Sequence, residues 1–442
     1  MLWPDERWPQ DVGALAIVDG TRFLESDGRF RLEAAREEVR RRPHFLPRSR
    51  QVLITPPRGL GWPLWVDDPA FDLRHHVDVA QVPVPGDEVQ LLTTVERLRR
   101  RRLDPRRPLW EMWFLPGLPE SRIGLFIRLH HVVADGIAGI ASLTRFLDDG
   151  PEVELPSMRT WQPAPRPSNR ELLVDNVQRR AGRLAELFSA MANPAGLIRN
   201  VRAELPSLRE VLAQAPGPRT SLNRLVGSDR TFGLIRGDLD VVRRAAHAHG
   251  ATINDVLLTI TAGGVRALLQ GRGEAAENLP IYVPVSLRNK QAPARGGNLI
   301  TQMVVRLPLA IADPALRLRE ISAETARRKA MARPSLGTTF RGKLISALLL
   351  RRIAGQRVNV ETADLPGPQQ PLYFAGARLL EVFPLLNLIG NVSLGVGAIS
   401  YAGQFEIMIV ADGEGYPDLD EFTAAAQKDL RALAATPAWS HS

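Results

Sequence analysis

Residues 128–139 read R-L-H-H-V-V-A-D-G-I-A-G and bring groups suited to proton transfer into one short stretch. Histidine, with an unperturbed pKa of about 6.5, can take up and return a proton near neutral pH. Asp135 can fix a turn or pair with a buried arginine, and Gly136 permits a close approach or an unusual backbone angle. The two histidines, His130 and His131, are contiguous, and neighbouring side chains on a β-strand point to opposite faces. One is therefore expected to work and the other to support the structure. A second pair, His75 and His76, follows Asp72, so both pairs with Asp72 and Asp135 could be proposed as a zinc or iron site. Adjacent histidines on extended backbone diverge, however, and the compact spacing His-Glu-x-x-His is missing, so acid–base chemistry is favoured over a metal.

These residues need a scaffold. An apolar run at 123–129 precedes them and an amphipathic run at 137–147 follows, which predicts a buried strand, a polar turn and a helix. Further strands are expected at 12–18, 230–235, 281–287 and 303–307, with helices at 32–39, 87–100, 171–191, 198–212, 238–248, 314–331 and 418–434. Residues 391–401 and 404–410 are an apolar pair separated by Ala402-Gly403, the pattern of a hairpin. Thr252, three residues before Asp255, has capping-box spacing and opens a helix to residue 269. His247 and His249 fall at the end of the preceding helix, where histidines commonly favour the dipole. Residues 340–353 place an apolar centre between basic flanks and suit either a buried helix or one lying on lipid.

At 442 residues the chain exceeds the comfortable size of one core, so two domains are expected. The proline-rich stretch at 148–169 is the best linker or crossing loop. There is no cysteine, hence no disulfide, thiol nucleophile or thiolate metal site. No uninterrupted apolar run is long enough to span a membrane, and the N-terminus does not read as a leader, which points to a cytosolic or membrane-surface protein. The net charge of +9 is carried mainly by arginine, and no nucleic-acid motif accompanies it.

The pattern His130-His131-x-x-x-Asp135-Gly136 resembles the signature of the acyl-CoA-dependent acyltransferase superfamily, which includes chloramphenicol acetyltransferase and peptide condensation domains. Other segments, in the same order, resemble its bacterial wax ester synthase/diacylglycerol acyltransferase branch: Pro108-Leu109-Trp110, Asn254-Asp255-Val256, Gly297-Asn298 and Pro366-Gly367-Pro368. The start of the chain and residues 359–364 depart from that branch, which has a Ser-Pro-x-Asp opening and a serine-asparagine lead into Pro-Gly-Pro.

The resemblance implies an α/β fold of two similar mixed-sheet domains, as in chloramphenicol acetyltransferase, with the active site in a tunnel at their interface. The domains are expected at 1–165 and 226–442, joined by a helical linker at 166–225, although late strands of this fold can cross into the first sheet. It makes His131 the general base, places Asn254 in the tunnel and gives Asp255 an architectural role. Asp135 would pair with an arginine from elsewhere, for which Arg288 is the candidate, while Pro108, Leu109, Trp110 and Asn298 would support the site. The expected activity is long-chain acyl transfer from acyl-CoA, as co-substrate and with no cofactor, to diacylglycerol or a long-chain alcohol. Another hydroxyl lipid, or silent binding of acyl-CoA, are the competing readings. A water-insoluble acceptor implies peripheral contact with the inner face of the membrane or with lipid inclusions, to which the basic charge would contribute.

Overall fold

The computed structural model describes residues 8–42, 48–57, 60–133, 146–152, 161–192, 216–286, 300–330 and 357–435. Asp135, Gly136, Arg288, Asn298 and the segments 198–212 and 340–353 lie outside the described residues, as does the Asp135–Arg288 pairing. Two six-stranded sheets organise the rest. The first contains β1 (Asp11–Asp19), β4 (Val77–Val79), β5 (Trp110–Leu115), β6 (Arg122–His130), β11 (Tyr373–Phe374) and β12 (Ala377–Leu385), ordered β11-β12-β1-β6-β5-β4. The second contains β7 (Arg230–Asp238), β8 (Asn278–Ser286), β9 (Ile300–Pro308), β10 (Val360–Pro366), β13 (Leu394–Tyr401) and β14 (Gln404–Asp412), ordered β7-β14-β13-β10-β8-β9. Both are mixed, with β4 parallel to β5 and β10 parallel to β13 and β8. A separate hairpin pairs β2 (Gln51–Ile54) with β3 (Leu64–Asp67).

Helices α1 (Leu32–Arg40) and α2 (Glu88–Arg99) pack on the first sheet through Ala35 and Val39, and through Leu91, Val95 and Leu98. Helix α3 (Asn169–Ala192) leads towards the second half. There α4 (Leu239–Ala248), α5 (Ile253–Gly271), α6 (Pro314–Ala330) and α7 (Leu419–Ala435) cover one face of the second sheet. The apolar helix α5 is almost wholly buried and starts where the Thr252 spacing predicts, because both halves of its capping box form. Asp255 Oδ2 accepts from the Thr252 amide at 2.8 Å, and its Oδ1 accepts from Thr325 Oγ1 at 2.7 Å, which ties α5 to α6. The turn between β13 and β14 has φ of 44° at Ala402 and 84° at Gly403, the two positive values that a tight two-residue hairpin requires. At the end of α4 both ring nitrogens of His249 are buried without a hydrogen bond among the described residues, and burial, then Arg319, lower its pKa against the opposing pull of Asp313.

The two sheets are joined by a strand from late in the chain. β12 pairs antiparallel with β1, from Gly13–Leu385 to Val18–Leu379, so the sequence after residue 226 contributes to both sheets. Gly397 permits the crossing: a Cβ there would lie 3.1 Å from Pro384 O and 3.2 Å from Leu386 Cγ. Tyr401, at the end of β13, donates to Leu379 O at 3.0 Å and accepts from the Leu372 amide at 2.8 Å.

Glu406 of β14 adds a third link by accepting from the Val382 amide at 2.5 Å. Burial pushes its carboxyl up to about 8, and Glu381 adds to this against the opposing pull of the Val382 amide and Arg236. The folded protein thus holds a proton on Glu406 that the unfolded chain releases near pH 4.5. This contribution to stability is complete below pH 4.5 and is lost as the pH rises through about 8. Glu406→Gln keeps the acceptor oxygen and removes the titration. Denaturant melts at pH 5 and pH 9 are expected to show a fall in wild-type stability that the variant lacks, by a margin on the order of 2–5 kcal/mol. Equal slopes in the two proteins would remove this role.

Candidate active site

β6 ends at His130, but the ladder continues for one more hydrogen bond, from the His131 amide to Gln10 O at 2.7 Å. The two histidines separate as strand geometry requires. His130 is 3% exposed, its amide donates to Leu109 O at 3.0 Å, and its Nδ1 accepts from the Val132 amide at 3.1 Å. The ring therefore braces the turn that follows the strand. His131 is half-buried at the start of that turn.

Beneath His130 on the same face lies Arg128, which is fully buried in a strand that is apolar from Ile123 to Ile127. Its guanidinium donates to Glu111 Oε2 at 2.8 Å, to Asp11 Oδ2 at 3.3 Å and to Arg99 O at 2.7 Å. This joins β1, β5 and β6 to the end of α2. Glu111 also accepts from Trp113 Nε1 at 3.0 Å. Nothing in the sequence marks Arg128 and Asp11 as a pair, while Glu111 follows directly on the Pro108-Leu109-Trp110 segment expected to support the site.

Pro108-Leu109-Trp110 opens β5 and supports the same corner. Trp110 Nε1 donates to Ser49 O at 2.8 Å, and its carbonyl meets His76 Nδ1 at 2.9 Å. The His76 ring is stacked between Trp110 and Phe71 with centroids 4.8 and 5.2 Å away, and burial lowers its pKa. Asp72 caps the turn at Leu73–His75 and is held near pKa 2 by the Arg74 side chain and amide. Among the described residues no group of three or more histidine, cysteine or acidic side chains is placed to hold a metal.

The opposite face of β6 carries Leu125, Ile127 and Leu129, and with Val12, Ala14 and Ala16 of β1 these line one wall of an apolar cavity of about 90 Å³. His131 is next in the alternating series on that face. The far wall comes from Leu365, Ile399 and Tyr401 of β10 and β13, with the end of β12 between the walls. The cavity therefore lies between the two sheets, and His131 stands at the end marked by Val12 and Leu129. Strand alternation puts Glu361 of β10 on the same side as Leu365, beside Gly395 and Tyr282. Burial pushes its carboxyl up to about 7. Asp364, pushed up by burial to about 6, points the other way along the strand. Asn254 is the second residue of α5 and half-buried, one position before Asp255 in its capping box.

Two mixed sheets joined by an exchanged strand, with an apolar cavity between them, make a fold of the chloramphenicol acetyltransferase type. A solved wax ester synthase/diacylglycerol acyltransferase from Marinobacter aquaeolei VT8 has this fold, with a TM-score of 0.68 at 21% identity over 98% of this chain and 96% of that one. The first condensation domain of the calcium-dependent antibiotic synthetase shares it at a TM-score of 0.60 and 18% identity, over 99% and 94% of the two chains. The model of the wax ester synthase/diacylglycerol acyltransferase catalytic domain matches residues 3–257, and that of the WS/DGAT C-terminal domain matches 296–434. The chain belongs to the wax ester synthase/diacylglycerol acyltransferase family and is an acyl-CoA-dependent O-acyltransferase. A relative from Mycobacterium tuberculosis H37Rv described as "Probable diacyglycerol O-acyltransferase tgs1" is 30% identical over 437 residues, 96% of this chain and 91% of that protein.

Proposed function

We propose that this acyltransferase moves a long-chain fatty acyl group from acyl-CoA to diacylglycerol or a long-chain alcohol, with His131 as the general base. The observation that carries this reading is the position of His131 two residues past Leu129, the last residue of β6 that lines the apolar inter-sheet cavity. The description of the mycobacterial relative favours diacylglycerol as the acceptor. In the proposed reaction the acceptor oxygen attacks the thioester carbonyl while His131 takes its proton. The tetrahedral intermediate then collapses, the carbon–sulfur bond breaks, and the proton passes from His131 to the departing thiolate. A positioned alcohol makes a covalent enzyme intermediate unnecessary. Asn254 is the proposed donor to the oxyanion, and His130 and Arg128 hold the strand end that presents the base.

The test is a competition between dipalmitoylglycerol and hexadecanol for palmitoyl-CoA, with the ester products identified by mass spectrometry. Triacylglycerol as the major product supports the preferred acceptor, wax ester would reverse it, and no ester with either would reject the long-chain reading. The cavity adds a sharper expectation. Ala14→Leu narrows it and should lower kcat/KM for palmitoyl-CoA by about tenfold or more while sparing a short acyl-CoA. Equal losses on both donors would separate this cavity from the acyl chain.

A further inference from the structure

Helix α3 carries a run of exposed apolar side chains on one face. They are Leu173, Val177, Leu184 and Phe188, exposed by 47, 56, 55 and 68%. At about 100° per residue these fall within a sector of roughly 60°, and Val174, 48% exposed, borders it. Arg170 and Arg180 fall within or beside that sector, whereas Glu171 and Asp175 lie on the other side of the helix. The helix is anchored elsewhere on its circumference. Asn176 is 4% exposed, and a Cβ on Gly61 would lie 3.8 Å from Asn176 Cβ and 4.0 Å from Leu172 O. The residue after Gly61 is Trp62, itself 52% exposed.

We propose that the Leu173–Val177–Leu184–Phe188 face of α3, with Trp62, is the surface by which this acyltransferase lies on an anionic lipid surface. An apolar stripe with basic borders and its acidic residues turned away matches an interfacial helix: the apolar side chains enter the acyl boundary and the arginines reach anionic headgroups. A chain of net charge +9 adds to that attraction. The position also suits delivery. The loop at Gly61–Trp62 connects β2 to β3, and the segment before β2 reaches the active-site corner, where Ser49 O accepts from Trp110 and Arg48 Nη1 donates to Val132 O at 3.5 Å. At the end of β3, Asp67 Oδ2 accepts from the Ala164 amide at 2.9 Å, five residues before α3 begins. The loop that meets α3 at Asn176 is thus continuous, through β2, with the segment that reaches Val132 beside His131. This assignment rests on the proposed lipid acceptor only for its purpose, and its test is separate.

The test is co-sedimentation of the full chain with phosphatidylcholine vesicles made with and without phosphatidylglycerol. Wild type, Val177→Glu/Phe188→Glu and Arg170→Glu/Arg180→Glu are compared, all checked for unchanged thermal midpoints. Wild type should bind vesicles, more tightly when phosphatidylglycerol is present. The arginine variant should lose roughly ten- to thirtyfold of that anionic affinity, and the apolar variant should lose binding to both compositions. No vesicle binding by wild type, or equal binding by all three proteins, would overturn the assignment. So would an apolar variant that binds vesicles normally but converts a wild-type dimer to monomer, since that face would then meet a second copy. Acyl transfer to detergent-dispersed hexadecanol should be equal in the three proteins. Vesicle binding as described, with no acyl transfer by any of them, would leave the surface standing and remove the proposed reaction.

Discussion

Replacing His131 with alanine is expected to lower acceptor-dependent release of coenzyme A by about 10²–10⁴, the usual worth of a positioned general base. Folding should be almost unaffected, because the side chain is half-buried in a turn and the amide that bonds Gln10 O survives the change. Binding of acyl-CoA should also persist, since the cavity walls are apolar residues on other positions. His130→Ala makes the opposite pattern. It leaves the half-buried Val132 amide without its acceptor, so it should cost about 0.5–1.5 kcal/mol of stability, with any loss of rate following from a displaced turn. The pair of variants separates the two histidines by thermal midpoint and by kcat. A folded His131→Ala protein with near-full ester synthesis would reject the base assignment.

The second large effect is expected at Arg128. Its guanidinium is fully buried, with Glu111 and Asp11 as its carboxylate partners, and removing one member of such a group leaves buried charge uncompensated. Arg128→Ala should destabilise the protein by about 3–5 kcal/mol in chemical denaturation. Arg128→Lys should recover only part of this, because an ammonium cannot reach Glu111, Asp11 and the Arg99 carbonyl with one planar fork. The triple change Arg128→Met/Glu111→Gln/Asp11→Asn should restore more, since it removes the charges together. An Arg128→Ala protein of wild-type stability would show that the cluster does not hold β1, β5 and β6 in place.

What could be read from the sequence depended on how local the cause was. Helix α5 was legible because its cap is a contact over three residues, Thr252 to Asp255, and the hairpin β13–β14 because Ala402-Gly403 can take two positive φ angles. β6 was legible as an apolar run ending at histidine. The strands that complete the site were not. β12 reads A-R-L-L-E-V-F-P-L, where Arg378, Glu381 and Pro384 interrupt the alternation and the register shifts against Ile17 and Val18. β10 carries Glu361 and Asp364, two acids in seven residues, which read as loop until the second sheet encloses them. Their conformation comes from neighbours distant in sequence, and so does the cavity between them and β1. The corner around His131 was half legible: its histidines and Pro108-Leu109-Trp110 stood out as motifs, while Arg128, Glu111 and Asp11 acquire meaning only when three strands meet.

Direct attack by the acceptor in a ternary complex is the centre of the mechanism, and one rapid-mixing measurement addresses it. Enzyme in molar excess is mixed with palmitoyl-CoA, first without acceptor and then with dipalmitoylglycerol, and free thiol is followed with time. The mechanism predicts no release without acceptor, and release with acceptor that matches ester formation and is lost in His131→Ala. A burst of free coenzyme A stoichiometric with palmitoyl-CoA in the absence of acceptor, with the acyl group retained on the protein, would contradict it and place a covalent nucleophile in the reaction.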